Sequence, residues 1–224
     1  MHDTDNLRVF CDFDGTITTV DVTDLILERL ADPSWMEIEA RWERGEIDSR
    51  ECMARQVQLI HGGWAAIREL LDEVKLDPTF QPFVAWCAAQ HIPLVVVSEG
   101  LDRVIHWLLR RDGIKVDAVW ANRLCESTDG GLTLEFPWQA LDQRVCHAGL
   151  CKCRVLERTP SNSFNVVIGD GLSDRCWTRH AAFVAAKSKL LGYCYANSIA
   201  CLPFDDFVTV QRALEQMLAG TVHA

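Results

Sequence analysis

Two aspartates, Asp12 and Asp14, end the apolar run in "LRVFCDFDGTITTVD" (residues 7–21) and are followed at once by Gly15 and Thr16. Carboxylates placed this close together repel one another and resist leaving water. A bound Mg²⁺ would resolve the conflict, because a hard dication prefers oxygen ligands and neutralises carboxylate and phosphate alike. Two other apolar runs end in the same way: "IPLVVV" runs into Ser98, and "FNVVIG" into Asp170 and, four residues later, Asp174. With Lys152 as the positive charge, these residues form a candidate site for phosphoryl transfer, chemistry that rests on positioning and charge stabilisation.

The elements that must hold these residues follow from changes of hydrophobic period. "LRVFCDF", "IPLVVVSEG" (92–100) and "FNVVIGDG" (164–171) are short continuous apolar runs, the pattern of strands covered on both faces. "HAAFVAA" and "SIACLPF" extend the same sheet, and "VWANRLCESTDGGLTLEF" predicts a strand followed by a hairpin around Asp129, Gly130 and Gly131. From about residue 20 to 90 the period is helical. Asp32 and Pro33 are expected as N-cap and first helical residue, with Trp35, Ile38 and Trp42 at helical spacing and Gly45 as the stop. Asp48 and Glu51 form a capping-box pattern ahead of Met53, Val57 and Ile60. A further helix is expected over about Trp64 to Val74. Strands alternating with helices predict an α/β fold with a doubly wound, mostly parallel sheet, which places its ligand beyond the carboxyl ends of the strands.

The 224 residues, 49% hydrophobic, suffice for one substantial core with a smaller insertion. A formal charge of −10 argues against a nucleic-acid binder, which needs a basic surface. No run has the length of a membrane span and none resembles an export signal, so a cytoplasmic protein with no membrane contact is expected. Ten cysteines are scattered through the chain apart from Cys146, Cys151 and Cys153. With His147 and Cys125 these offer zinc-ligand types, but the spacing is not a paired Cys-x-x-Cys pattern, and reduced structural thiols are the expectation.

"CDFDGTIT", "VVVSEG", a lysine at 152 and "GDGLSD" resemble the four ordered motifs of the haloacid dehalogenase superfamily of phosphatases, and the resemblance covers nearly the whole chain. It implies a Rossmann-like core and a helical cap inserted after the first motif, here residues 1–19 with 81–224 as core and 20–80 as cap. It further implies that Asp12 is the nucleophile and Asp14 the general acid and base. Asp12, Asp14 and Asp170 would hold Mg²⁺, with Asp174 supporting that site. Thr16, Ser98, Glu99, Gly100 and Lys152 would hold the phosphate. The chemistry agrees with these roles, since a carboxylate nucleophile divides hydrolysis into phosphorylation and dephosphorylation while a neighbouring acid serves both steps.

The helical insertion is the mark of the phosphoserine-phosphatase-like branch. "FCDFDGTIT", "CKC" and "KLLGYCYANSIACLPFDDF" more closely resemble the methionine-salvage phosphatases acting on 2-hydroxy-3-keto-5-methylthiopentenyl-1-phosphate. The partner implied is a small phosphorylated metabolite. Phosphoserine is the alternative substrate, with Asp21 and Arg55 as cap contacts for its amine and carboxylate. A binding module without turnover is a third reading, and the retention of both Asp12 and Asp14 speaks against it.

Overall fold

The computed structural model describes residues 6–138 and 148–221. The strands are β1 (Leu7–Cys11), β2 (Leu94–Leu101), β3 (Ala118–Glu126), β4 (Leu132–Glu135), β5 (Phe164–Gly169), β6 (Phe183–Ala186) and β7 (Leu202–Pro203). They form one sheet in the order β4-β3-β2-β1-β5-β6-β7. Every pairing is parallel except β3 with β4, the hairpin expected at Asp129-Gly130-Gly131.

The continuous apolar runs have a simple cause. Val9, Val96, Val166 and Ile168 face one hydrophobic cluster, while the alternate residues Phe10, Val97 and Val167 face another on the opposite side of the sheet. Side chains alternate along a strand, so a strand covered on both faces is apolar through most of its length. The first face is covered by α5 (Phe80–Ala89), α6 (Asp102–Arg111) and α10 (Phe207–Thr221), through residues such as Phe83, Leu108 and Phe207. The second is covered by α7 (Lys152–Leu156), α8 (Arg175–Thr178) and α9 (Ser188–Ala196), through Leu156, Trp177 and Leu190.

Between β1 and α5 the chain makes four helices: α1 (Val22–Leu30), α2 (Trp35–Glu43), α3 (Ser49–Val57) and α4 (Gly63–Leu70). The segment leaves and returns at one point, where Thr18 pairs with Leu76, and the Thr19 and Asp77 N–H groups donate to the Lys75 and Ile17 carbonyls. Asp48 caps α3 as expected, accepting the Glu51 N–H at 2.7 Å. The start of α2 departs from expectation. The helix itself begins only at Trp35, and Asp32 caps the turn ahead of it, its Oδ1 accepting the Ser34 N–H at 2.9 Å and its carbonyl the Trp35 N–H at 3.0 Å. This helix buries none of its residues, and Met36 and Trp42 are exposed. Among the described residues no helix is long and apolar enough to cross a membrane.

Candidate active site

All the polar groups singled out at strand ends meet at the carboxyl edge of β1, β2 and β5. Asp12 directly follows β1, and its Oδ1 accepts the Phe13 N–H at 2.8 Å. Lys152, the first residue of α7, is 1% exposed and reaches across to that edge. Its Nζ lies 2.8 Å from Asp12 Oδ1 and 2.7 Å from Asp174 Oδ1, with the Trp177 ring centroid 5.0 Å away. Asp174 is itself saturated, since its Oδ2 accepts the N–H groups of Asp170 and Gly171 at 3.2 and 3.0 Å.

The carboxylates of Asp12, Asp170 and Asp174 lie within 4.8 Å of one another, the only such cluster of acidic, histidine or cysteine groups among the described residues. Every donor is an oxygen, the set preferred by a hard dication and unsuited to a soft one. Both oxygens of Asp174 are bonded, whereas Asp12 and Asp170 are each bonded through Oδ1 alone in the described hydrogen bonds, so these two have the greater ligand capacity left. The Asp14 carboxylate stands apart from this cluster. Its Oδ1 accepts the Val22 N–H at 3.0 Å and its Oδ2 the Ser98 hydroxyl at 3.3 Å.

The electrostatics follow from four carboxylates sharing one buried cation. Burial alone would depress the Lys152 ammonium, but Asp12 and Asp174 outweigh it and hold its pKa well above the ordinary value. Each acid has only a share of that cation. Burial and then the Asp174 charge therefore push Asp12 up despite Lys152. Burial likewise raises Asp170, although the Thr16 hydroxyl opposes it. Asp14 is pushed up to about 8 by burial and then by Asp21, so it holds a proton at neutral pH in the absence of a cation.

The other expected residues divide into those at this edge and those away from it. Ser98 is buried within β2, directly after Val97, where the pairing with β3 shifts register, and its Oγ accepts the Gly100 N–H at 2.9 Å. A Cβ at Gly100 would run into Asp14 Oδ2, so only glycine lets that carboxylate approach. Glu99 accepts the Ser49 hydroxyl of α3 at 3.2 Å, linking the β2 end to the inserted helices. The Thr16 hydroxyl donates to Asp170 Oδ1 at 2.8 Å, which makes Thr16 a support for that acid. Asp21 caps α1 through the Asp24 N–H. Arg55 lies on the exposed face of α3, paired with Glu51, while its neighbours Gln56 and Val57 are buried. Cys146 and His147 fall outside the described residues.

Two residues at the site carry no clear signal in the sequence. Lys187, just after β6, donates from Nζ to the Thr16 carbonyl at 3.2 Å and adds a second cation beside Asp170. Its position at the end of the apolar run "FVAA" was the available clue. Asn122, fully buried on β3, donates Nδ2 to the Glu99 carbonyl and ties down the irregular stretch of β2 that presents Ser98.

Residues 9–179 match the family described as haloacid dehalogenase-like hydrolase. The chain belongs to that family. Within it, the chain is 30% identical to 2-hydroxy-3-keto-5-methylthiopentenyl-1-phosphate phosphatase of Bacillus cereus, over 95% of this chain and 98% of that one. The protein of the same name from Bacillus anthracis is also 30% identical, over the same shares. Among solved structures, a phospho-aspartyl intermediate analogue of phosphoserine phosphatase superposes with a TM-score of 0.67 at 18% identity, covering 93% of this chain and 98% of that one. A probable phosphoserine phosphatase from Vibrio cholerae gives 0.73 at 14% identity, covering 99% and 68%. At such identities these structures speak for the fold, a haloacid dehalogenase-like sheet with helices on both faces.

Proposed function

We propose that this hydrolase cleaves a small-molecule phosphoric monoester through a phosphorylated Asp12, with Mg²⁺ bound at the acidic cluster. The observation that carries the reading is the Lys152 ammonium bridging Asp12 and Asp174 beside Asp170. The chain is a phosphoric monoester hydrolase, with residues 1–19 and 81–224 as catalytic core and 20–80 as a helical cap. The pairing of Thr18 with Leu76 supports that division.

In this reading Lys152 and the Phe13 N–H fix Asp12 through Oδ1, and no described hydrogen bond goes to Oδ2, which is left to attack phosphorus. The phosphorus–oxygen bond to the leaving group breaks as the new bond to Asp12 forms. Asp14, whose carboxyl is pushed up to about 8 by burial and by Asp21, gives its proton to the departing oxygen. It then accepts a proton from the water that attacks the phospho-aspartate, releasing inorganic phosphate and restoring Asp12. Ser98, Glu99, Gly100 and Lys152 line the place of the phosphate oxygens. Asp12 and Asp170 would hold Mg²⁺ with Asp174 in support, and the ion would neutralise phosphate charge when bound.

The substrate we assign is 2-hydroxy-3-keto-5-methylthiopentenyl-1-phosphate. The names of the Bacillus relatives support it. Phosphoserine would need a charged clamp, and Arg55, its cationic candidate, is turned outward toward Glu51. Measuring kcat/KM for both substrates on one preparation tests the assignment. Preference for phosphoserine by more than about tenfold, roughly 1.4 kcal/mol of transition-state binding, would replace the methylthio substrate with phosphoserine.

A further inference from the structure

Asp12 is 5% exposed and Ser98 1%, so a phosphate group must be let in. Some part of the inserted segment has to move, and its packing divides it. From α1, Val22, Ile26 and Leu27 enter the apolar cluster on the first face of the sheet, as do Ile67 and Leu70 from α4. Between Met36 and Gln56 no side chain joins either apolar cluster. That stretch, most of α2 and α3, holds itself together by polar contacts: Glu39 accepts the Gln56 amide at 2.7 Å and the Cys52 thiol at 3.5 Å. It enters and leaves through a second neck, nested within the pairing of Thr18 with Leu76. There Ala31 pairs with Ile60, and the Asp32 and His61 N–H groups donate to the Leu59 and Leu30 carbonyls, both at 2.9 Å.

The next helix is clamped to the core. The residue that should cap α4 is Gly62, which has no side chain, and Glu126 at the end of β3 caps the helix instead, its Oε1 accepting the Trp64 N–H at 2.8 Å. The other oxygen of Glu126 accepts Nη1 of Arg103, from α6, at 3.1 Å, and the Arg103 guanidinium lies 4.3 Å from the centre of the Trp64 ring. Trp64 in turn meets Trp107 of α6 edge to face, with ring centroids 6.1 Å apart. Between this clamp and the neck stand Gly62 and Gly63, at φ +78° and +57°. We propose, on the phosphatase reading of this site, that residues 32–59 are its moving lid, swinging about the Ala31–Ile60 neck while α1 and α4 stay with the core. A stretch with few buried apolar contacts opens more readily than its surroundings, and hinge motion falls on a few residues at element ends that absorb the change in φ and ψ. In the closed position the lid touches the phosphate-binding stretch twice. The Ser49 hydroxyl donates to Glu99 at 3.2 Å, and Asn122 Nδ2 lies 3.8 Å from Met53 Sδ. Closure thus brings Ser49 and Met53 against the two strands that carry Ser98 and its brace, and excludes water from the reacting phosphate.

Hydrogen–deuterium exchange of the full-length protein, read by peptide mass with and without Mg²⁺ and orthovanadate as phosphate analogue, tests the lid. In the free protein, amides of α2 and α3 should exchange at least about tenfold faster than those of α1 and α4. Mg²⁺ and vanadate should slow the α2 and α3 amides by at least about tenfold and change the α1 and α4 amides by less than about twofold. Glu126→Ala should speed exchange in the first turn of α4 and leave kcat within about threefold of wild type, because the clamp does not open during turnover. Equal exchange of all four helices in the free protein would overturn the proposal, as would slowing of all four together by vanadate, the result of a cap that turns as one body at Thr18 and Leu76. So would a larger change of kcat in Glu126→Ala. The contrast in the free protein needs no ligand, so if that contrast is found and vanadate leaves every helix unchanged, the lid stands and the phosphatase reading fails.

Discussion

Asp174 Oδ1 lies 2.7 Å from the Lys152 ammonium, and both side chains are almost wholly shut off from solvent. The contact explains how four acids can crowd one sheet edge: Asp174 is neutralised by Lys152 and by two backbone N–H groups, and so frees Asp12 and Asp170 for other partners.

Lys152→Met tests that relationship through stability. Removing one partner of a buried ion pair leaves uncompensated charge and costs about 3–5 kcal/mol. Urea unfolding at neutral pH should show a loss at the lower end of that range, because Asp12, already pushed up, can take a proton. Turnover should be lost as well. A variant as stable as wild type would remove Lys152 from the role given to it.

Thr16→Val keeps shape but deletes the hydroxyl that donates to Asp170. Groups that orient metal ligands typically contribute about 10- to 100-fold to metal affinity or activity. A Mg²⁺ titration of turnover should therefore shift to higher concentration by about that factor, with kcat at saturating Mg²⁺ near wild type. An unchanged titration would show that Asp170 needs no such support.

Gly15→Ala should be costly for two reasons at once. Gly15 has φ +67°, where an L side chain loses about 1–2 kcal/mol, and its Cβ would lie 2.7 Å from Asp170 Oδ2. Lower thermal stability combined with weakened Mg²⁺ dependence is expected. A stable variant with normal metal dependence would contradict the placement of Asp170 against this turn.

The pH dependence of stability has a definite sign. A carboxyl raised on folding binds its proton more tightly in the folded chain, so its contribution is full below the ordinary 3.8 and is lost as pH rises through its folded value. Asp14, at about 8, sets the upper end of the window, and Asp12 and Asp170 act in the same direction. Metal-free protein should lose thermal stability as pH rises from about 6 to about 9, and Mg²⁺ should restore more at the higher pH. A larger Mg²⁺ effect at about pH 6 would contradict this.

Much of this was legible because a strand buried on both faces is apolar through most of its length. Asp12 and Asp170 therefore mark strand ends as clearly as they mark chemistry, and Ser98 marks the place where the pairing of β2 with β3 loses register. Lys152 was legible only through its order among the motifs, since nothing local separates it from Arg154. What the sequence hides are contacts made across elements. Lys187 reaches the turn after β1 from 171 residues away, and Asn122 braces the Ser98 stretch of β2 from the adjacent strand. The Asp14 side chain turns to Val22 rather than to the acidic cluster, a choice made by the direction of the chain after Gly15. Charge alone marks Arg55 as a cap contact, whereas the helical period of α3 buries Cys52, Gln56 and Val57 and turns Arg55 outward.

The central claim is that phosphate passes through Asp12. Asp14→Asn should slow dephosphorylation as well as phosphorylation, with turnover reduced by about 10²- to 10⁴-fold, so its covalent intermediate should last long enough to capture. The most direct measurement is acid quenching of this variant during hydrolysis of a phosphomonoester in Mg²⁺, followed by peptide mass mapping. The account predicts one phosphoryl group on Asp12, absent when EDTA is added first and absent in Asp12→Asn, which should not turn over. Phosphate on another residue, or full hydrolysis by Asp12→Asn, would contradict it.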